Sequence, residues 1–294
     1  IRTVAGTGAG TDTFKGFWYD GVTTTPLQGN ASLYTENAIV ATSALTIDSP
    51  AGTVFSGVST GYYFDGYYRD NFLLQLESWE TTYGFVFAGG ASWNYAQDVH
   101  IIAPILEVTG SCLSVTNHTG NIHVNGGHMY ARPSALNAVY VSNCSGQVKL
   151  NGVEYVGNAT ATTPLIYVLN SENVSSTEGS VLECPTAPVS LVNSNNCKFT
   201  DSVLNNTVAG SAVALTNSNR NIFAMRMNGT YARAKGYNVT DALSGYNEFN
   251  CTGIDPACIT GGAANKLVIN GTQVVAVGIA AAGHGTNVAS GVMA

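Results

Sequence analysis

The chain has 294 residues, of which 45% are hydrophobic and only 10% are charged, and its formal net charge is -7 at pH 7. This length and apolar content allow a large buried core, which excludes a disordered chain, and the low charge leaves Gly, Ser, Thr and Asn to cover the surface. Nucleic acid is not an expected partner, because the chain is acidic and its 11 Lys and Arg residues form no basic patch. Membrane insertion is not expected either, because no apolar stretch reaches about 18 residues.

The first 35 residues predict a lead-in or cap segment. Within it, FKGFWYDGVTTTPLQGN (14–30) combines a short amphipathic stretch with several turn residues. The strings NAIVATSALTID (37–48) and GTVFSGVSTGYYFDG (52–66) follow, and their alternating apolar residues indicate strands.

From residue 71 onward, a polar residue followed by alternating apolar residues recurs every 23 to 27 residues. A period of this length predicts a repeat architecture in which each repeat is one coil of a solenoid. Apolar residues at the second and fourth positions, such as Val99 and Ile101, predict strands with one buried face. The strings are NFLLQL (71–76), DVHIIA (98–103), NIHVNG (121–126), QVKLNG (147–152), NVSSTE (173–178), NCKFTD (196–201) and NIFAMR (221–226).

Amide side chains recur once per repeat in two columns. Coils of a solenoid stack about 4.8 Å apart, so an Asn in a turn can hydrogen-bond its copy in the next coil. The columns therefore predict amide ladders along the axis. The first column contains Asn71, Asp98, Asn121, Gln147, Asn173, Asn196 and Asn221, and the second contains Asn117, Asn143, Asn170, Asn193 and Asn217.

Short strands with Gly and Asn turns and no helical periodicity predict an all-β fold, a parallel β-helix. Neither the leucine-rich consensus nor a propeller repeat of about 40 residues is present. The strings NEFNCTG (247–253) and NKLVINGTQVVAV (265–277) extend the pattern. We therefore predict a lead-in at 1–35, a β-helix at 36–280 and a C-terminal tail at 281–294.

The amide-laddered coils of residues 98–226, together with TGYYFDGYYRDNFLLQLESWETTYGFVFAGG (60–90), resemble those of a known family. They are similar to the right-handed parallel β-helix tailspikes and receptor-binding proteins of tailed bacteriophages, over about two thirds of the chain. The resemblance implies a homotrimer on the virion tail, outside the cell, in contact with other tail or baseplate proteins. It also implies a bacterial surface polysaccharide (capsule, exopolysaccharide or O-antigen) as ligand, and depolymerisation of that polymer by hydrolysis or lyase chemistry.

Three alternatives remain open beside a depolymerase. The chain could hold a glycan for host attachment without cutting it, it could be a secreted β-helix polysaccharide lyase or hydrolase, or it could be a structural adhesin. Enzymatic activity is the favoured hypothesis among these. Fold analogy alone does not decide between them, because similar coils serve several functions.

Glycoside hydrolysis requires two carboxyl groups flanking the scissile bond, and outward carboxylates on neighbouring coils have suitable spacing. The repeat alignment also places His128 beside Glu154 across one coil step, where the two could act as acid and base or, as is more common, form only a hydrogen-bonded surface pair. Another alignment column brings Glu178, Asp201 and Arg226 together, and a surface ion-pair cluster is the favoured interpretation there. The catalytic candidates are Glu77, Glu80, Glu107, Glu154 and His128.

A second outward column contains Leu73, His100, His123, Lys149, Ser175 and Lys198. Its consecutive His100, His123 and Lys149 predict a cationic stripe, which could bind an acidic sugar, act as base in a β-elimination, or simply face solvent or a neighbouring subunit. Aromatic residues concentrate before residue 96, and Trp79, Trp93 and Tyr95 are the candidates for stacking on sugar rings. No cofactor is predicted. No metal site is predicted either, because His100 and His123 lack an obvious third ligand.

Overall fold

The computed structural model describes residues 83–88, 99–132, 137–157, 163–181, 188–201, 213–225 and 243–250 in full, and elsewhere only the backbone of the strands named below. Throughout these described segments the chain forms strands and turns without any helix, as the all-β prediction requires. Accordingly, these segments contain no helix that could span a membrane.

The strands assemble into three sheets, named here in the order in which each coil visits them. The first sheet contains β2 (Asn37–Ala41), β5 (Thr60–Asp65), β8 (Tyr83–Ala88), β11 (Ser111–Thr116), β14 (Asn137–Ser142), β17 (Ile166–Leu169), β20 (Val189–Val192), β23 (Val213–Thr216), β26 (Tyr237–Val239) and β28 (Ile259–Thr260). The second sheet contains β1 (Asp12–Lys15), β3 (Leu45–Asp48), β6 (Asn71–Leu74), β9 (Val99–Ile102), β12 (Ile122–Asn125), β15 (Val148–Asn151), β18 (Val174–Thr177), β21 (Lys198–Phe199), β24 (Ile222–Phe223), β27 (Glu248–Asn250), β29 (Asn265–Ile269) and β30 (Thr272–Val277). The third sheet contains β4 (Thr53–Ser56), β7 (Leu76–Thr81), β10 (Ile105–Val108), β13 (His128–Ala131), β16 (Glu154–Val156), β19 (Ser180–Leu182), β22 (Ser202–Leu204) and β25 (Arg226–Asn228).

Within each sheet, neighbouring strands belong to successive coils and pair in parallel. His123 on β12, for example, is in register with His100 on β9 and with Lys149 on β15, which are one predicted repeat away on either side. The chain is therefore a parallel β-helix, and the predicted fold is confirmed. The exception is β30, which runs antiparallel to β29.

The predicted domain boundaries remain predictions. Strand β1 lies within the predicted lead-in and pairs in parallel with β3 of the second sheet. The predicted tail at 281–294 lies outside the described residues.

The core fills the inside of the coils with mainly apolar columns, one of which is interrupted by buried Ser176 between Leu150 and Phe199. Val99 and Ile101 are fully buried, as are their register partners Ile122 and Val124, so the alternation predicted for these strands is confirmed. Further along the second sheet, Phe199, Phe223 and Phe249 stack on one another with ring centroids 5.8 and 5.5 Å apart. Parallel stacking of like residues thus supplies the apolar burial that stabilises each coil.

A buried hydroxyl ladder holds the corner between the first and second sheets. Ser171, Ser194 and Ser218 each accept a hydrogen bond at Oγ from the backbone N–H of the equivalent residue one coil earlier, at 3.0 to 3.3 Å. Each of these hydroxyls donates in turn to the carbonyl two residues before it. The ladder satisfies backbone groups that would otherwise be buried without partners, which is costly in a solenoid interior.

An exposed amide ladder runs beside the serines, as the second Asn column predicts. Asn170 donates from Nδ2 to Asn143 Oδ1 at 3.1 Å, and Asn193 and Asn217 repeat this contact at 2.9 Å. These residues have φ between 46° and 55°, in the left-handed region that Asn tolerates better than other residues with a Cβ. The recurrence of Asn thus has two causes, the turn conformation and the ladder.

At Asn221 and Asn247, the first amide column is offset by one residue from the predicted position. Asn221 lies one position later than expected and is fully buried, and its Oδ1 accepts a hydrogen bond from the backbone N–H of Cys197 at 2.8 Å. Asn247 repeats this arrangement for the N–H of Asn221. The exposed turn position with positive φ, which is Asn196 on the coil before, is occupied by Arg220 and Tyr246 on these two coils.

Asp201 does not belong to the predicted surface ion-pair cluster. Its side chain is fully buried, whereas Glu178 is exposed at a turn with φ 59°, and Asp201 Oδ1 accepts a hydrogen bond from Gly179 N. Asp201 Oδ2 has no hydrogen-bond partner among the described residues. Burial raises the pKa of Asp201 from 3.8 to about 6, an effect opposed by hydrogen bonds from Ser176 and the backbone of Gly179.

Three of the six cysteines fall in the described segments, and all three are buried free thiols: Cys112, Cys144 and Cys197. Burial raises the pKa of Cys144 to about 11 and that of Cys197 to about 12. Thiols held in this protonated state act as small apolar residues rather than as nucleophiles.

Substitution of Asn193 separates the two roles of the amide ladder. We expect Asn193→Gly to lose the ladder contacts while keeping the turn conformation, and Asn193→Ala to lose both, so that Ala is the less stable variant by about 1 kcal/mol. Chemical denaturation of both variants and the parent measures the difference. Equal stability of the Gly and Ala variants would show that the left-handed turn contributes nothing.

The raised pKa of Asp201 should make the protein more stable in mild acid than at neutral pH. Because the folded pKa is raised, the contribution of this group is fully present below about pH 4 and is lost as the pH rises through about 6, an effect on the order of 3 kcal/mol. Buried His118 acts oppositely, because burial lowers its pKa to about 4 and its contribution is lost as the pH falls from 6.5 towards that value. We therefore expect Asp201→Asn to exceed the parent in stability at pH 7.5 and to lose that advantage at pH 4.

The comparison is made by denaturation midpoints of parent and Asp201→Asn at both pH values, since the His118 contribution is common to the two proteins. A difference in stability between the two proteins that does not change with pH would contradict the raised pKa of Asp201.

Candidate functional site

A groove of about 440 Å³ lies on the outer face of the first sheet. Tyr83, Tyr140 and Tyr167 line it with aromatic surface, and Ser111, Ser114 and Asn137 add polar groups. We call this site the tyrosine groove. Its lining residues come from successive coils, so the groove runs along the axis of the solenoid.

The strand register explains how the groove forms. Ser114, Tyr140 and Tyr167 are in register on β11, β14 and β17, at positions that alternate with buried Val115, Val141 and Val168. Because alternate residues of a strand point to opposite faces, these three side chains point outwards. The rings of Tyr140 and Tyr167 stack with centroids 5.9 Å apart and an interplanar angle of 23°.

One end of the groove lies where the third sheet passes into the first. Ser111 and Asn137 start β11 and β14, and Asn137 Nδ2 donates to the carbonyl of Pro164. Thr163 and Pro164 complete the wall on the next coil. A stacking surface flanked by hydroxyl and amide groups can hold a ring that is apolar on its faces and polar at its edge.

The sequence reasoning did not select Tyr140 or Tyr167. The signal was present, since residues 139–143 read VYVSN and residues 166–170 read IYVLN, which put Tyr at the same outward position of successive repeats. Of the aromatic residues that were selected, Trp79 lies on strand β7, whose side chains are not described, and Trp93 and Tyr95 lie outside the described residues.

His128 and Glu154 meet on the third sheet, as the repeat alignment placed them. They are in register on β13 and β16, and His128 Nδ1 lies 2.9 Å from Glu154 Oε2. Their side chains are 33% and 46% exposed, so a bound molecule can reach the pair. An imidazole held by a carboxylate is an arrangement that can accept and return a proton.

The turn before His128 requires glycine. Gly127 has φ 98°, and a Cβ there would lie 2.4 Å from the carbonyl oxygen of Pro104 on the preceding coil. That same carbonyl accepts a hydrogen bond from His128 N at 2.7 Å, while the carbonyl of Gly127 accepts one from Glu154 N at 3.0 Å. The close coil contact therefore anchors the backbone of both members of the pair.

Glu107 is occupied by a different partner. Its Oε2 lies 3.1 Å from Arg132 Nη2. In the backbone register Glu107 lies opposite Tyr130 and Trp79, so it is two coils and two residues away from Glu154. Two coils correspond to about 10 Å, near the upper limit of roughly 9.5 Å for carboxyl groups in inverting glycosidases, before the shift along the strand is added.

Glu77 and Glu80 are described by their backbone alone. Glu77 is in register with Ile105, which is in register with His128 on the following coil. The register between β7 and β10 shifts after Glu107, so that Trp79 and Thr81 have partners and Glu80 falls at the irregularity. Their catalytic roles remain predictions, as do those of Glu107, Glu154 and His128.

The cationic column of the second sheet is continuous in register from His100 through His123 to Lys149. The residue in register on the preceding coil is Phe72, not the expected Leu73, because the strand pairing is offset by one residue there. The two imidazole rings stack with centroids 5.0 Å apart. Among the described residues, no three His, Cys, Asp or Glu side chains are grouped so as to hold a metal ion.

These features define a parallel β-helix protein with an aromatic groove on one sheet and a contacting His–Glu pair on another. No protein-family model matches the sequence, and neither the curated proteins nor the solved structures include a match to it.

Proposed function

We propose that the protein binds a polysaccharide, with the sugar rings lying in the tyrosine groove. The observation that carries this proposal is the stacked pair Tyr140 and Tyr167, half-buried beside polar Ser111, Ser114 and Asn137. Tyrosine faces contact the C–H faces of sugar rings, and neighbouring hydroxyl and amide groups bond the sugar hydroxyls. An axial groove suits an extended polymer, because each further coil offers a further contact.

The resemblance of the sequence to phage tailspikes supports a finer proposal. We propose that the glycan is a bacterial surface polysaccharide, and that the protein is an extracellular, homotrimeric attachment protein on a virion tail, in contact with other tail or baseplate proteins. Light scattering of the purified protein tests the trimer, with a mass near 92 kDa expected from a 30.6 kDa chain. A monomeric mass would overturn this part and leave glycan binding to be tested separately.

Removing the groove tyrosines should weaken glycan binding. We expect Tyr140→Ala and Tyr167→Ala each to reduce affinity about fivefold to tenfold, because one stacking contact on the order of 1 kcal/mol is lost in each case. The measurement is affinity electrophoresis in gels that contain purified bacterial capsule or O-antigen polysaccharide.

Tyr246→Ala is the matched control for that experiment. Tyr246 is 74% exposed at a corner of the coil and does not line the groove, so its removal should leave retardation unchanged. If all three variants bind as the parent does, the groove is not the site. If the parent binds no polysaccharide in the panel, the proposed function itself is contradicted.

The contact between His128 and Glu154 favours depolymerisation as a second candidate function. For a sugar that carries a carboxylate, His128 can take the proton from the carbon beside it while the bond to the leaving oxygen breaks and a carbon–carbon double bond forms. Glu154 would orient the imidazole and stabilise its positive charge, and solvent would protonate the leaving oxygen. This chemistry needs one base rather than two carboxylates at a fixed separation.

Glu154→Gln should reduce cleavage by at least about a hundredfold while binding is retained. Polymer length is followed by size-exclusion chromatography of the polysaccharide, and the new double bond by ultraviolet absorbance. Glu172→Gln is the control. It neutralises an exposed carboxylate at the corner between the first and second sheets, away from the third sheet, and should leave cleavage unchanged. Polymer that keeps its length with the parent protein would exclude the enzyme and leave the binding function intact.

A further inference from the structure

The cationic column of the second sheet continues in register past Lys149 to Lys198. His100, His123, Lys149, Ser175 and Lys198 are in register on five consecutive strands. The stacked imidazoles stand at one end, and the exposed side chains of Lys149 and Lys198 follow. We call this column the cationic ladder.

Carboxylates are kept off the cationic ladder. Within the described part of the chain, Lys149 and Lys198 form no ion pair, Glu107 and Glu154 lie on the third sheet, and Asp201 is buried. The charged neighbours are Glu172 and Glu178, which lie at the two corners of the Ser175 coil, Arg220 at a corner turn, and Glu248, which follows Lys198 after Ile222. The ammonium groups of Lys149 and Lys198 therefore lie on the strand face itself, while the nearby carboxylates lie at its corners or, at Glu248, two strands beyond Lys198.

Uncharged hydrogen-bonding groups run parallel to the ladder. Asn125, Asn151 and Thr177 are in register two positions further along β12, β15 and β18, on the same outer face. Thr177 Oγ1 donates to Asn151 Oδ1 at 3.2 Å, so these side chains form a column of their own. The face therefore offers a row of cations for anionic groups beside a row of amide and hydroxyl groups for sugar hydroxyls.

We propose that this face is a second, charge-selective glycan site, whose ligand is a polysaccharide bearing carboxylates and lying along the solenoid axis. The inference rests on the proposed polysaccharide-binding function and adds the chemical class of the polymer. Successive rungs are about 4.8 Å apart, close to the length of one sugar ring, so consecutive sugars can meet consecutive rungs. From His100 to Lys198 the ladder spans about 19 Å, which is roughly four sugars.

A phosphate polymer fits this face less well than a glycan does. Few cations are present on a chain of net negative charge, and the amide column has no role toward a polyphosphate. A carboxylated glycan uses both columns, since its carboxylates meet the ladder and its hydroxyls meet Asn125 and Asn151.

The test compares acidic polysaccharides with their own uncharged forms. Affinity electrophoresis is run with polygalacturonate, alginate and hyaluronan, each native and carboxyl-reduced, with purified capsule and O-antigen preparations, and with polyphosphate, in low and high salt. We expect one or more native acidic polymers to bind about tenfold more tightly than the reduced form in low salt, with the preference shrinking in high salt.

Substitutions in the cationic ladder test whether it causes the preference for native over carboxyl-reduced polymers. The triple substitution His123→Gln, Lys149→Gln and Lys198→Gln should abolish the preference, because it replaces three exposed or half-exposed side chains and none from the core. Lys266→Gln is the matched control, since Lys266 lies in the same column but is separated from the ladder by Ile222 and Glu248, and it should retain the preference. Melting temperatures of both variants equal to that of the parent establish that they are folded.

Equal binding of native and reduced polymers, binding of neutral polymers alone, or equally tight binding of polyphosphate would each overturn the charge-selective site. In the first two of these cases polysaccharide binding itself would stand. Absence of binding to every polysaccharide, acidic or neutral, would instead contradict the proposed function.

Discussion

The structure depends on the contact between each corner residue and its copy one coil away. A coil of this solenoid cannot satisfy its own buried backbone groups, because its strands pair only with the strands of neighbouring coils. The serine ladder at Ser171, Ser194 and Ser218 supplies acceptors to the backbone N–H groups at the corner between the first and second sheets, and the outer asparagines adopt the left-handed turn conformation there. The corner thus fixes the stacking register, and the register places every other column of the molecule.

Functional groups on such a scaffold are organised as columns. A residue type that recurs at an outward position becomes a row with the spacing of the coils, as the stacked tyrosines of the first sheet and the imidazoles of the second sheet demonstrate. A change within a column ends the row, as Ser190 does when it follows Tyr167 in register. Sites on this fold are therefore linear and of limited length, and they match ligands that are themselves linear repeats.

The fold could be predicted from periodicity because the same physical requirement acts on every coil. Alternation in the strands and Asn at left-handed turns both recur, so a single repeat period revealed them. Two of the one-residue errors have a local cause, since the polar residue expected at the corner lies one position later there: Asn71 pairs with Val99, and Asn221 takes the place of Cys197. The tyrosine groove was harder to foresee, because its depth depends on Pro164 and Asn137 at the passage between two sheets, where the repeat does not constrain the sequence.

The position of the acid–base pair bears on which glycan could be cut. His128 begins its strand of the third sheet directly after the two-residue turn Gly126–Gly127 that follows the second sheet, whereas the tyrosine groove lies on the first sheet, which each coil reaches after the third. Elimination beside a sugar carboxylate becomes easier when that carboxylate is held by cations, because the negative charge that develops on the neighbouring carbon is then stabilised. Under the two proposals, an acidic polymer held on the cationic ladder would therefore lie nearer to His128 along the coil than a chain held in the uncharged tyrosine groove.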